Sequence, residues 1–220
     1  MPRRGSFATA GDVEQNVRVS MTAGKSKVAL VAGLVATAML ICAALTYAAV
    51  VNCAGGGPRC NGTNQPDTIT GTNNKDEIFA KGGLDTVDGR GGADTYHGGP
   101  GGDNLEETSG GRDTIFGDGG DDYIAGGLKG DDIYGGEDDD ANLFGDEGDD
   151  TIHGNDGADS MQGEQGDDTL LGGRGNDSID AADDESPGGL DKVDCGKGGN
   201  DSALVNAEDA VQRCEHVGTV

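Results

Sequence analysis

The 220-residue chain has no tryptophan, four phenylalanines, four tyrosines and five prolines. So few aromatic side chains exclude the bulky core of an ordinary globular domain. Positive charge is scarce as well. Fifteen Lys and Arg stand against forty-one Asp and Glu, a formal net charge of −26. That balance argues against a nucleic-acid partner, because phosphate binding needs a Lys/Arg surface. Low hydrophobicity with so large a charge leaves a chain disordered in plain water unless something neutralises it. The obvious counterpart is a cation. Catalytic signatures are missing too: there is no G-x-S-x-G, and Gly24-Lys25-Ser26 lacks the earlier glycine of a phosphate loop. No enzyme is expected. No C-x-x-C spacing occurs and only three histidines are present, which argues against zinc. The D-x-[DN]-x-[DN]-G loop of an EF-hand is also missing.

Long hydrophobic runs are confined to one place. Residues 28–51 pass twenty-four positions without a charge, directly after Lys25 and Lys27. A basic flank, an apolar run and small residues read as an export signal, with cleavage expected after Ala48. The run is also long enough to stay in a bilayer as a helical anchor. Both alternatives place everything after residue 52 outside, extracellular or at the cell surface. Export makes the cysteines informative. Leaving aside Cys42 in the apolar run, four remain: Cys53, Cys60, Cys195 and Cys214. An even count in an oxidising compartment implies bridges. Of the three connectivities, the local one is expected, Cys53–Cys60 and Cys195–Cys214, with free thiols as the alternative.

What the chain has in excess is glycine, 43 residues, together with the aspartates. Isolated apolar residues mark a ruler through them: Ile69, Ile78, Val87, Tyr96, Leu105, Ile115, Ile124, Ile133, Leu143, Ile152, Met161, Leu170 and Ile179. Ten of the twelve steps are nine residues, and two, Leu105 to Ile115 and Ile133 to Leu143, are ten. Two residues before nearly every mark stands an aspartate: Asp67, Asp76, Asp85, Asp94, Asp103, Asp113, Asp122, Asp131, Asp150, Asp159, Asp168 and Asp177. Glycines precede it, as at Gly145 and Gly148 before Asp150. The unit is G-x-x-G-x-D-x-U-x with U apolar. The x-U-x tripeptide is too short for anything but a strand, with one inward side chain. The other six residues form a turn in which glycine takes positive φ. Carboxylates and open carbonyls in each turn suit a hard cation such as calcium, which wants six to eight oxygens.

This unit resembles the RTX, or haemolysin-type, calcium-binding nonapeptide repeat over about residues 62–180. The resemblance implies an all-β fold, a right-handed parallel β-roll, with several calcium ions held between turns eighteen residues apart on one edge. It pairs Asp67 with Asp85, Asp76 with Asp94, Asp85 with Asp103, Asp113 with Asp131, Asp150 with Asp168, and Asp159 with Asp177. All twelve aspartates are the expected metal ligands. Some units depart from the pattern. Gln65 and Asn74 replace the second glycine in the first two, and Lys129 does so later. The frame puts Ala141 where an aspartate belongs, behind a crowded Asp138, Asp139 and Asp140. Beyond Ile179 only two degraded copies remain, Gly189-x-Asp191-x-Val193 and Gly199-x-Asp201-x-Ala203. The expected organisation is a signal or anchor over 1–51, a linker with two cysteines over 52–61, the calcium-binding roll over 62–180, and a small disulfide-closed cap over 181–220. An adhesive or surface-interaction solenoid with purely structural calcium is the alternative; a protein or glycan partner has no signature here.

Overall fold

The computed structural model describes residues 48–53, 59–182 and 189–220. The apolar run up to residue 47 lies outside the described residues, as does its expected helix. Among the described residues there are nineteen strands, no α-helix, and therefore no helix long and apolar enough to cross a membrane. They form two all-parallel sheets. One takes the odd strands in order: β1 (Ala49–Asn52), β3 (Asp67–Thr70), β5 (Thr86–Asp88), β7 (Asn104–Glu106), β9 (Tyr123–Leu128), β11 (Asn142–Glu147), β13 (Ser160–Gln165), β15 (Ser178–Ala181), β17 (Ser202–Val205) and β19 (His216–Thr219). The other takes the even ones: β2 (Arg59–Asn61), β4 (Glu77–Phe79), β6 (Thr95–Pro100), β8 (Thr114–Gly119), β10 (Asp132–Glu137), β12 (Thr151–Asp156), β14 (Thr169–Arg174), β16 (Lys192–Lys197) and β18 (Ala210–Gln212). Each strand pairs with the strand two along the chain, which is the topology of a two-sheet β-solenoid of about nine coils.

The nine-residue ruler is the reason. Every second unit returns its apolar residue to the same sheet, so Ile69, Val87, Leu105, Ile124, Leu143, Met161 and Ile179 stack in register. Ile78, Tyr96, Ile115, Ile133, Ile152 and Leu170 stack in the opposite sheet. All thirteen are at most 2% exposed, a thin seam that is dry throughout. The roll is longer than the repeats suggest. The expected linker supplies β1 and β2, so Val51 and Cys60 are rungs of the seam. The expected cap is likewise a continuation, with Val193 on Leu170 and Ala203 on Ile179. Ladder hydrogen bonds need only the strands in register, so longer turns between them do not end the stack. The two disulfides close as expected, Cys53–Cys60 with Cα atoms 5.4 Å apart and Cys195–Cys214 with 5.1 Å. The first lies in the first coil, and the second joins the last two coils, from β16 to the turn after β18.

The strands also outgrow x-U-x. Most from β6 to β14 run six residues, through the first three of the next unit. The turn that follows needs left-handed backbone. Gly83 has φ +145°, and a Cβ there would stand 2.7 Å from the Gln65 carbonyl carbon. Lys129, in the same slot of a later unit, accepts φ 75° without being glycine. Gln65 and Asn74 do not take a left-handed φ at all. Thr63 and Thr72 build those two turns instead, each hydroxyl accepting the backbone N–H two residues on at 3.2 Å. On the outer face of the even sheet, Phe79, His97, Phe116, Tyr134 and His153 stack ring on ring at 4.7–4.9 Å, the spacing of the strands that carry them.

Candidate metal centre

Each repeat aspartate stands at the start of its strand, just before it except for Asp67, the first residue of β3, and its side chain is buried. All twelve expected aspartates are at most 3% exposed. They line up in two columns, one beside each sheet. Within a column the backbone N–H of one aspartate donates to Oδ1 of the next, one coil on. The six expected pairs all meet this way: Asp67 to Asp85 at 2.7 Å, Asp76 to Asp94 at 2.7 Å and Asp85 to Asp103 at 2.8 Å. Asp113 reaches Asp131 at 2.7 Å, Asp150 reaches Asp168 at 2.8 Å and Asp159 reaches Asp177 at 3.1 Å.

The columns hold residues that the repeat pattern did not assign. Asp140 is fully buried, accepts from Asp122 at 2.9 Å and donates to Asp159 at 3.0 Å. The extra residue, Ala141, is inserted after the aspartate rather than displacing it. Counting eighteen from Asp122 would have found it. Asp191 and Asp201 extend the two columns, across loops that lengthen the step to 23 and 24 residues. Asp209 and Glu215 finish them, each accepting the N–H of the aspartate before it.

Oδ1 is thus used, and Oδ2 decides the chemistry. In Asp85, Asp94, Asp103, Asp113, Asp122, Asp131, Asp140, Asp150, Asp159, Asp177 and Asp201, Oδ2 is buried with no hydrogen-bond partner. An unsatisfied buried carboxylate oxygen is costly, so a counterpart is required. In Asp103, Asp122, Asp131, Asp140, Asp150, Asp159 and Asp177 that oxygen faces a space left by the first glycine of its own unit. A Cβ at Gly98 would lie 2.7 Å from both Asp103 Oδ2 and the Gly117 carbonyl oxygen. At Gly126 it would lie 2.8 Å from Asp131 Oδ2 and 2.9 Å from the Gly145 carbonyl oxygen. Carboxylate and carbonyl oxygens with no nitrogen or sulfur suit a hard divalent cation. The residues therefore fit calcium.

Electrostatics agree. Burial pushes the carboxyls of Asp122 and Asp131 up to about 8, against the pull of the backbone N–H each accepts. Asp94 and Asp140 are raised to about 7 by the same cause. Asp103, Asp113, Asp150 and Asp159 rise to about 6. Burial thus disfavours the bare carboxylates and favours their pairing with a proton or a cation.

Asp67 and Asp76 differ. Asp67 Oδ2 accepts the Thr63 N–H at 2.5 Å, and Asp76 Oδ2 accepts the Thr72 N–H at 2.7 Å and hydroxyl at 2.8 Å. Their second oxygens are already satisfied. The signal for this was a threonine following the first glycine in "GTNQPD" and "GTNNKD".

Residues 70–105, 107–128 and 144–179 match the family model of the RTX calcium-binding nonapeptide repeat, in four copies. No curated protein matches the chain.

Proposed function

Because residues 70–179 carry RTX calcium-binding nonapeptide repeats, we propose that this chain is an exported β-roll that folds on the calcium it binds between successive Gly/Asp turns. The carrying observation is the set of buried Oδ2 atoms without partners, repeated once per turn along both columns. Bound calcium supplies the positive charge that these oxygens need. Asp85 with Asp103, Asp113 with Asp131, Asp150 with Asp168, and Asp159 with Asp177 would share ions, with the carbonyls of the first glycines completing the oxygen set. Asp122, Asp140 and Asp201 join them. Asp67 and Asp76 close the first two turns through threonine and need no ion. The proposed role is binding and scaffolding.

Export is supported by the apolar run behind Lys25 and Lys27 and by two disulfides, which persist in oxidising compartments. Cleavage after Ala48 would leave β1 whole, since that strand starts at Ala49. Millimolar external calcium then fills sites too weak for the cytosol. The test is far-UV circular dichroism of the purified protein, first with chelator and then with calcium. Coil should turn to strand on adding the metal. Identical spectra would overturn the proposal.

A further inference from the structure

One turn is unlike the rest. Glu107 occupies the slot that glycine holds at the head of most units, and it is 5% exposed. Its Oε1 accepts the Ser109 N–H at 2.9 Å, and its Oε2 accepts the Tyr96 hydroxyl at 2.5 Å. Tyr96 is the bulkiest side chain on the ruler, and its hydroxyl stands beside Gly89, where the corresponding glycines of later turns face an aspartate Oδ2 and a carbonyl oxygen. The tyrosine thus carries the glutamate's carboxylate into the aspartate column. Asp94, Glu107 and Asp113 each present an oxygen, all within 4.8 Å of one another. Asp94 and Asp113 are 2% and 0% exposed, and each keeps an Oδ2 without a hydrogen-bond partner. Three carboxylates converge where a regular turn brings two, in surroundings that exclude water.

We propose that Asp94, Glu107 and Asp113 form a primary cation site, which binds calcium more tightly than the regular turns and fills first. The proposal rests on the calcium-binding role above. In oxygen-ligand sites, affinity for calcium follows the number of charged ligands, and a third carboxylate adds one. The extra charge also favours trivalent lanthanides, which share calcium's preference for oxygen. Tyr96 positions Glu107, and through its ring it gives this site an optical signature that the others lack. Tyr123 and Tyr134 lie on the outer faces of their strands.

Terbium reports on such a site, because an adjacent phenol sensitises its emission. The full chain is titrated with terbium while tyrosine is excited. The first equivalent should carry most of the sensitised emission. Glu107→Gln should move the midpoint of that phase to about tenfold higher terbium, the effect of removing one charged ligand. Tyr96→Phe should abolish the emission, while calorimetry still finds a first ion that binds tighter than the later ones. A Glu107→Gln midpoint equal to that of the parent would overturn the proposal. So would sensitised emission that survives in Tyr96→Phe. If Glu107→Gln does not fold at saturating calcium, Tyr96→Phe decides by itself. A parent protein that folds with calcium but shows equal sites by calorimetry would sink the primary site and leave the calcium-driven roll standing.

Discussion

At the scale of single residues, the two oxygens of each aspartate have separate duties. Oδ1 holds the neighbouring coil by its backbone, and Oδ2 is in most of them buried without a partner or, in Asp67 and Asp76, bonded to a threonine. Asp122 and Asp76 separate the two. Asp122 Oδ2 is buried without a partner, whereas Asp76 Oδ2 is bonded twice by Thr72. Asp122→Asn keeps an oxygen for the Asp103 N–H and removes a buried charge. In chelator near pH 8 it should be at least as ordered as the parent, while its calcium midpoint for folding rises about tenfold. Asp76→Asn should cost about 1 kcal/mol with or without calcium, because it weakens bonds within the protein. Circular dichroism across a calcium titration reads both. Equal shifts in midpoint for the two variants would mean that Thr72 does not replace the ion.

At the scale of strands and turns, each rung touches only its neighbours. Asp159 donates to Asp177 in one column, and Asp168 lies in the other with Asp150. A double Asp159→Ala, Asp177→Ala variant should therefore cost less than the sum of its singles, by about 1 kcal/mol, since the second change acts on a site already damaged. Asp159→Ala with Asp168→Ala should be close to additive. Folding midpoints in calcium give both values, and equal coupling would disprove the columns. Much of this element structure was legible in the sequence. The nine-residue spacing identified every buried rung from Ile69 to Ile179, because one inward side chain per strand leaves no alternative period. What escaped were features that a fixed period cannot carry. Ala141 lengthens its unit after the aspartate, so Asp140 looked out of phase. Glu107 lies within the ten-residue step from Leu105 to Ile115, where the nine-residue period does not show that it fills a glycine slot beside a tyrosine. Strand pairing tolerates long turns, so the coils after residue 180 resembled a cap.

At the scale of the whole molecule, two columns of buried carboxylates make stability depend on pH. Burial raises these groups from 3.8 to between about 6 and 8. The folded chain therefore holds more protons than the unfolded one. Stability of the metal-free roll is greatest below about 3.8 and falls as pH climbs through the raised values. In chelator, strand content should grow as the solution is acidified from pH 8 toward pH 4, and the gain in stability per pH unit should be steepest between about 6 and 4, where all the raised groups are protonated only in the folded chain. Calcium should flatten this dependence, since it takes the place of the protons. Strand content that instead declines on acidification in chelator, measured by circular dichroism, would contradict the buried columns.

One covalent bridge stands in the first coil and the other joins the last two, with most of the aspartate columns between them. Stacked, an eighteen-residue coil advances about 4.8 Å along the roll. Drawn out straight, the same residues span about 60 Å. Under tension the proposed calcium-folded roll would be a tether with two locked ends and an extensible middle, whose reach differs by roughly tenfold between stacked and drawn-out coils.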